Sequence, residues 1–305
     1  MSHLQSPRPV IVHEVSIDLP RAWLSLGQVI VGSAMGFRRF LHLALIAVGV
    51  VVLALPSGFA LEQELEPTKT GKPPVKPQNP ALVQVEDVAG LSRVLLIGDS
   101  ISMGYTLEVR ERLKGVANVH RPPQNCGDSA TGLKQLDRWL GTGTWDVIHF
   151  NFGLHDLKYL DAQGKYVSPE QGTQVAPLAV YRQRLHDFTV RAKATGAKVI
   201  FATTTPVPPG CQGRVAGDEV GYNRVALEVM QELGVAVNDL CGHVAQQQRA
   251  LPPLPASAKP IPPAPQVLPR PGELQKPFDV HFTPEGSRQL ATLVVANIRK
   301  SLSSR

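Results

Sequence analysis

The chain has 305 residues, of which 43% are hydrophobic and 18% are charged. This composition is that of a globular protein rather than a disordered one, and the length allows one or two domains. The formal net charge of +6 is spread along the chain. Because no basic stripe is interleaved with aromatic residues, we expect no nucleic-acid partner.

The first 60 residues are predicted to be an extension that carries an export signal. An apolar run at residues 40–55 is flanked by two arginines and two small residues, Arg38, Arg39, Gly58 and Ala60. These are the parts of a secretory signal peptide, here cleaved after Ala60, with Met35 as a candidate start. The run is shorter than the ~20 residues that usually span a bilayer, and an uncleaved membrane tether is the alternative. We therefore expect a protein exported to the periplasm, the cell envelope or the medium.

Two proline-rich segments border or interrupt the rest of the chain. Residues 61–89 hold prolines among Lys, Thr and Gln and are predicted to be an extended linker. Residues 251–277 contain ten prolines. This segment is predicted to be a surface insertion, with a functional loop as the alternative. The folded domain is therefore expected to span residues 90–305.

Between these segments, strand-like and helix-like runs alternate. The predicted strands are short and apolar: 93–97, 116–120, 146–152, 198–203 and 235–240. The predicted helices show helical spacing of apolar residues or end at a glycine: 105–114, 132–140, 179–195, 222–233 and 285–302. Short apolar strands separated by helices form parallel sheets covered on both faces. We predict a three-layer α/β/α sandwich around a five-stranded parallel sheet, with ligands bound beyond the carboxyl ends of the strands.

The chain has three cysteines, Cys126, Cys211 and Cys241. Their spacing fits no zinc motif, so no metal site is predicted. In an exported protein two of them could pair and leave one over. Three unpaired thiols are the alternative.

Four loops carry the residues with candidate chemistry. They are Gly98–Ser100, Asn125–Gly127, Asn151–Asp156 and Asp279–His281. Three follow predicted strands, and the fourth precedes the last helix, which Thr283 is expected to cap with Pro284 in its first turn. Taken alone, Ser100 could simply cap a helix, and His281 could simply be a residue that precedes a capped helix. Together, the loops lie at one end of the predicted sheet.

A serine nucleophile needs a base to take its proton, a group that orients this base, and donors for the developing oxyanion. Ser100, His281 and Asp279 can take the first three roles. The donors can come from the N–H groups of Ser100 and Gly127 and from the 151–156 loop.

From about residue 92 to residue 302, the chain resembles the SGNH (GDSL-like) hydrolase family. Gly98-Asp99-Ser100 matches the block that carries the family's nucleophile. Gly127 resembles the oxyanion-hole glycine of the second block, with Gly132 as a less favoured alternative. Gly153-Leu154-His155-Asp156 resembles the third block, Gly-x-Asn-Asp, and His281 followed by Phe-Thr-Pro-Glu-Gly resembles the last. The resemblance implies a flavodoxin-like sandwich and an ester-cleaving enzyme without a metal or cofactor.

Two positions depart from the family pattern. His155 stands where the family has an asparagine that donates to the oxyanion, and a neutral imidazole has one N–H for the same purpose. Asn151 as the donor, or a hole with only two donors, are the alternatives. The last block normally reads Asp-x-x-His, but Phe278 lies three residues before His281. Asp279, two residues before, is expected to orient the histidine, with Asp156 or a backbone carbonyl as alternatives.

The expected function is that of a serine esterase that removes short acyl groups, foremost O-acetyl groups on carbohydrate. The expected partner is a small-molecule or polysaccharide ester. Lipase, lysophospholipase or acyltransferase activity is the alternative. A hypothesis from another functional class is a protein that has lost catalysis and only binds carbohydrate or a partner. Further residues expected near the site are Asp99, Asn151, Gly153, Asp156, Tyr159 and Tyr166. For Trp139 and Trp145 we favour core packing.

Overall fold

The computed structural model describes residues 78–249 and 273–304. The predicted signal peptide or anchor at residues 1–60 lies outside the described residues, as do residues 61–77 of the predicted linker and 251–272 of the predicted insertion. Within the described ranges, no helix is both long and apolar enough to cross a membrane.

A five-stranded parallel sheet forms the centre of the domain. The strands in chain order are β1 (Ser92–Ile97), β2 (Ala117–His120), β3 (Val147–Phe150), β4 (Tyr159–Leu160), β5 (Thr173–Gln174), β6 (Lys198–Ala202) and β7 (Ala236–Asn238). The sheet has the order β2-β1-β3-β6-β7, and all of its pairs are parallel. β3 is buried along its whole length, as a strand covered on both faces must be. β4 and β5 form a separate antiparallel pair.

Helices cover both faces of the sheet. They are α1 (Ser100–Arg112), α2 (Ser129–Leu140), α3 (Leu178–Lys193), α4 (Asp218–Glu232), α5 (Leu240–Arg249) and α6 (Pro284–Ser303). α1 packs against α6, and α3 packs between α2 and α4. The prediction of a three-layer α/β/α sandwich with a five-stranded parallel sheet is confirmed.

Aspartate caps set where the first two long helices begin. Asp99 accepts a hydrogen bond from the Ile101 N–H at 2.9 Å, so α1 begins at residue 100 rather than at the predicted residue 105. Asp128 accepts from the Thr131 N–H at 2.8 Å, so α2 begins at residue 129 rather than 132. The earlier start of α1 places Ser100 in its first turn. At α6, the predicted cap by Thr283 is confirmed, because its side chain accepts from the Gly286 N–H.

The region after β7 differs from the sequence prediction. The predicted strand runs to residue 240, but β7 ends at Asn238 and Leu240 already starts α5. Asp239 accepts from the Gly242 N–H at 2.9 Å, which satisfies a free donor at the start of this helix. A strand up to residue 240 is therefore wrong.

The β4–β5 hairpin is a second element that the sequence analysis did not predict. Its strands have two residues each, which is too short for a period-2 pattern. The hairpin is attached to the loop after β6, since the Tyr159 N–H donates to the Gly213 carbonyl at 2.8 Å. A Cβ on Gly213 would lie 2.5 Å from the Tyr166 ring, so only glycine allows this contact.

The end of the predicted linker is part of the fold. The Asn118 side chain of β2 donates to the Val88 carbonyl at 3.0 Å and accepts from the Val88 N–H at 2.9 Å. Asn79 caps a short 3₁₀ helix at Pro80–Leu82, which packs against α1. Asparagine side chains therefore hold the backbone in place several residues before the predicted domain boundary at residue 90.

Candidate active site

The candidate residues meet at the carboxyl edge of the sheet. β1 and β3 are neighbours at the point where the strand order reverses, which is where open α/β sheets bind ligands. Ser100 follows β1, and the 151–156 loop follows β3. A cavity of about 470 Å³ lies at this edge, and its lining includes Asp99, Ser100, Asn125, His155, Asp279 and His281.

Ser100, His281 and Asp279 form a continuous chain of hydrogen bonds. Ser100 Oγ lies 2.9 Å from His281 Nε2, and His281 Nδ1 lies 2.7 Å from Asp279 Oδ1. Burial acts to raise the pKa of Asp279, but the hydrogen bonds and charge of His281, together with Lys276, outweigh it and lower that pKa. An ionised Asp279 accepts a hydrogen bond from Nδ1–H, which keeps the imidazole proton on Nδ1 and leaves Nε2 free to take the serine proton.

The loop that carries Asp279 and His281 is shaped by a left-handed residue. Phe278 has a φ of 58°, the one positive φ of a non-glycine residue in the part of the chain that the structure describes. This conformation costs about 1–2 kcal/mol for an L-residue. The Lys276 N–H closes the loop by donating to the His281 carbonyl at 2.9 Å. The carboxylate thus reaches the imidazole from two residues away instead of three.

Gln275 holds this loop against the rest of the domain. Its side chain is 4% exposed. The amide donates to the Pro206 carbonyl at 2.9 Å and to the Val280 carbonyl at 3.2 Å. Its oxygen accepts from the Gln248 side chain of α5 at 2.6 Å. The loop with the candidate base is therefore tied both to the segment after β6 and to α5.

A buried arginine connects the serine turn with the loop after β2. Arg121 is 1% exposed. One guanidinium nitrogen donates to the Gly98 carbonyl at 3.1 Å and to the Gln124 carbonyl at 3.3 Å. The other donates to the hydroxyls of Ser102 and Thr106 in α1. The sequence analysis missed Arg121, because a basic residue that follows a strand carries no pattern of its own.

The N–H of Gly127 is already satisfied in this structure. It donates to Asn125 Oδ1 at 2.9 Å. Asn125 lines the cavity, whereas Gly127 does not. The alternative glycine, Gly132, lies inside α2, where an added Cβ would come within 2.4 Å of the Phe152 ring. Gly132 thus allows close packing of the helix on the chain after β3.

His155 lines the same cavity as Ser100. The Lys158 Nζ lies 3.4 Å from His155 Nδ1. Burial lowers the pKa of His155. The positive charges of Lys158 and Arg214 also lower this pKa, whereas the carboxylates of Asp99 and Asp128 raise it without reversing the direction. The imidazole is therefore neutral at neutral pH.

The other polar residues of the third loop face away from the cavity and connect elements. Asn151 donates to the Ala202 carbonyl at 2.6 Å, at the end of β6. Asp156 is fully buried and accepts from the Ser129 N–H at 3.0 Å and from the Ser129 hydroxyl, at the start of α2. A Cβ on Gly153 would lie 1.9 Å from the Thr204 hydroxyl. The structure therefore does not bring Asn151 to the oxyanion position or Asp156 to His281.

The aromatic residues divide between the cavity and the core. Tyr166 lines the cavity. Trp139 and Trp145 are 7% and 8% exposed and belong to the core, and Trp145 also contacts Arg93. Tyr159 is half-buried in β4 and is not among the residues that line the cavity.

All three cysteines are free. Cys211 lines the cavity, and burial raises the pKa of its thiol to about 12, in part offset by Arg214. It is therefore a protonated, unreactive thiol rather than a second nucleophile.

No known protein family and no curated protein matches this sequence. Solved structures do match. A lipase/acylhydrolase from Enterococcus faecalis has 18% identity, with 69% of this chain and 96% of that one covered and a TM-score of 0.50. An α/β hydrolase enzyme from the metagenome of Lake Arreo, Spain, has 13% identity, with 69% and 95% covered and a TM-score of 0.50. A GDSL-like lipase from Bacteroides thetaiotaomicron has 16% identity, 73% and 94% coverage and a TM-score of 0.48.

The chain has the SGNH (GDSL-like) hydrolase fold. At these identities the likeness concerns the fold alone, and the chemistry depends on the residues of this chain.

One wall of the cavity of this SGNH fold was absent from the sequence analysis. It comes from the loop after β6 and includes Cys211, Gln212 and Arg214. Arg214 donates to the Leu154 carbonyl at 2.9 Å, so it also supports the loop of His155. The rule that sites follow parallel strands points to this loop, but no residue spacing marks Arg214.

Proposed function

We propose that this protein is a serine esterase that hydrolyses short acyl esters through an acyl-enzyme. The hydrogen-bonded chain from Ser100 through His281 to Asp279 carries the proposal. Ser100 Oγ attacks the ester carbonyl carbon and gives its proton to His281 Nε2. The imidazolium protonates the leaving alcohol oxygen as the C–O bond breaks. Water, deprotonated by His281, then attacks the acyl-serine, and the carboxylic acid leaves as Ser100 regains its proton.

The oxyanion of each tetrahedral intermediate is held by two donors in this proposal. The first is the Ser100 N–H, which lies in the first turn of α1, where N–H groups have no acceptor within the helix. The second is the neutral imidazole of His155. Gly127 is a donor only after its N–H leaves Asn125 Oδ1, so we assign it no part in the resting site.

Short acyl groups on carbohydrate are the proposed substrates. The cavity of about 470 Å³ has room for a small acyl group and part of a sugar. Polar side chains that can hydrogen-bond hydroxyl groups line it, among them Asn125, Gln212 and Arg214. A long acyl chain would require a larger apolar wall than the one that Leu154, Phe278 and Val280 provide.

The decisive test is replacement of the serine. Ser100→Ala should abolish both hydrolysis of p-nitrophenyl acetate and labelling by a fluorophosphonate probe, because both reactions need the Oγ nucleophile. Ser303→Ala is the control, since Ser303 is exposed at the end of α6, away from the cavity, and its hydroxyl donates to the Arg299 carbonyl. Full activity in Ser100→Ala would overturn the proposal. Product analysis with a sugar acceptor would separate hydrolysis from acyl transfer to the sugar.

Export to the periplasm, the cell envelope or the medium is proposed from the sequence alone. The apolar run at residues 40–55, preceded by two arginines, supports it. N-terminal sequencing of the mature protein from a fractionated native host tests it. A first residue at position 61 is expected, an intact N-terminus in the membrane fraction indicates the tether, and an intact N-terminus in the cytosol contradicts both.

A further inference from the structure

The contact between Lys158 and His155 determines which nitrogen of the imidazole carries the proton. An ammonium group has only donors, and Lys158 Nζ lies 3.4 Å from His155 Nδ1. Nδ1 therefore has to be the acceptor. In a neutral imidazole the single proton then lies on Nε2, which has no protein partner among the described residues. This nitrogen is left as a donor for the cavity.

Lys158 is itself held in place. Its carbonyl accepts from the Val175 N–H at 2.9 Å, next to β5. Its ammonium lies 5.4 Å from the centre of the Tyr166 ring, within range of a cation–π interaction. In the described part of the chain, no carboxylate lies within ion-pair distance of Lys158. Its ammonium is thus directed to the imidazole and the ring rather than to a carboxylate.

We infer that Lys158 is a positioning residue that fixes His155 as the Nε2–H tautomer. The Nε2–H group of His155 is then the side-chain donor of the oxyanion hole. The inference rests on the proposed function. His155 occupies the position of the asparagine in the resembled family, and an asparagine amide donates in every state. A histidine donates from Nε2 as a neutral group only when Nδ1 is kept unprotonated, and Lys158, directly before β4, provides the cation that does so.

The charges around His155 come from four parts of the fold. Asp99 lies before α1, Asp128 before α2, Lys158 on the same loop as His155, and Arg214 after β6. The two cations disfavour an imidazolium, and the two carboxylates favour it. Removing the positive charge of Lys158 should therefore raise the pKa of His155, since the charged ring loses a repulsive neighbour.

Nitrogen-15 NMR of the histidine-labelled protein tests the tautomer directly. The His155 signals are assigned by their loss in His155→Asn. At neutral pH we expect an unprotonated Nδ1 and a protonated Nε2 in the wild type. In Lys158→Met we expect a mixture of tautomers and a higher pKa of His155. A wild-type protein with its proton on Nδ1 would overturn the inference.

Kinetics supply a second test. An oxyanion forms only in the transition state, so loss of its donor lowers kcat with little change in KM. We expect Lys158→Met to lower kcat about tenfold, less than the ~10²–10³ of a donor lost outright. Lys158→Arg, which keeps a cationic donor, should retain most activity. Lys165→Met removes an exposed lysine from the connection between β4 and β5 and should have no effect.

A double mutant separates the proposed role from a structural one. His155→Asn should keep most activity, and adding Lys158→Met to it should change kcat little, because an asparagine has no tautomers. An equal drop in both backgrounds would overturn the inference, since Lys158 would then act on the fold. Ser100-dependent hydrolysis by the wild type is measured first. Its absence refutes the proposed function, whereas its presence with the wrong tautomer refutes only the role of Lys158.

Discussion

At the residue scale, the position of one carboxylate decides how His281 can act. Asp279 Oδ1 receives two hydrogen bonds from His281, at 2.7 Å from Nδ1 and at 3.1 Å from the backbone N–H. The carboxylate therefore fixes both the ring tautomer and the local backbone. Its lowered pKa, which His281 and Lys276 cause against the effect of burial, keeps it ionised when the pH falls below neutral.

We predict that Asp279→Asn strongly lowers kcat without unfolding the protein. An asparagine amide can donate to Nδ1, which places the imidazole proton on Nε2. A protonated Nε2 cannot accept the proton of Ser100. The same change in a serine protease triad costs roughly 10⁴-fold, and we expect at least a roughly 10²-fold loss here. The rate of hydrolysis of p-nitrophenyl acetate is the measurement. Asp161→Asn, on the β4–β5 hairpin, is the control, and equal activities of the two variants would contradict the assigned role.

At the scale of elements, the site depends on contacts that join loops from distant parts of the chain. Arg121 joins the turn after β1 to the loop after β2, and Gln275 joins the histidine loop to α5 and the segment after β6. Each of these side chains is buried and satisfies several backbone carbonyls. Their removal leaves polar groups without partners, which costs about 1–3 kcal/mol for each group.

We predict that Gln275→Leu lowers both the free energy of unfolding and kcat. Leucine fills a similar volume but leaves the Pro206 and Val280 carbonyls without their donor, so the loop of His281 loosens. Urea unfolding and hydrolysis rates at a temperature where circular dichroism shows a folded variant are the measurements. Gln248→Ala removes only the outer bond to Gln275 and should have the smaller effect on kcat. An unchanged kcat in Gln275→Leu would show that the loop holds its shape without this contact.

At the scale of the whole molecule, a buried carboxyl couples stability to pH. Asp156 is fully buried. Burial raises its pKa to about 7, in part offset by its hydrogen bonds from Ser129. In the unfolded chain an aspartate titrates near ~3.9. Between about pH 4 and pH 7 the native state therefore keeps a proton that the unfolded state has lost. This contribution to stability is complete below pH ~4 and is lost as the pH rises towards 7, by up to about 1.4 kcal/mol per pH unit.

We predict that Asp156→Asn removes this pH dependence. Its amide oxygen can still accept from Ser129, but the side chain no longer titrates. The free energy of unfolding of the variant should rise relative to the wild type as the pH increases from about 4.5 to about 7. Urea titrations across this range measure it. Asp137→Asn, whose side chain is 86% exposed, should run parallel to the wild type. A constant difference between Asp156→Asn and the wild type would contradict the prediction.

The sequence determines the strands of the central sheet, most of the helices that cover it and the place of the serine, because all of these depend on local patterns. Apolar strands such as β1 and β3 are recognisable from a few consecutive residues, and a serine directly after β1 has to lie at the carboxyl edge of a parallel sheet. The family resemblance added His281 as its partner. The fold and the meeting of Ser100 with His281 were therefore predictable without coordinates.

Only the tertiary structure decided which groups assist that pair. Asp279 rather than Asp156 faces His281, because Phe278 turns left-handed and Gln275 holds the loop, while Asp156 is used at the start of α2. The N–H of Gly127 is turned to Asn125, and Lys158 contacts His155 from the loop directly before β4. The contacts of Gln275 and Asp156 join distant segments, which local sequence periods do not encode. The contacts of Gly127 and Lys158 are local but lie in irregular loops, where no sequence period exists.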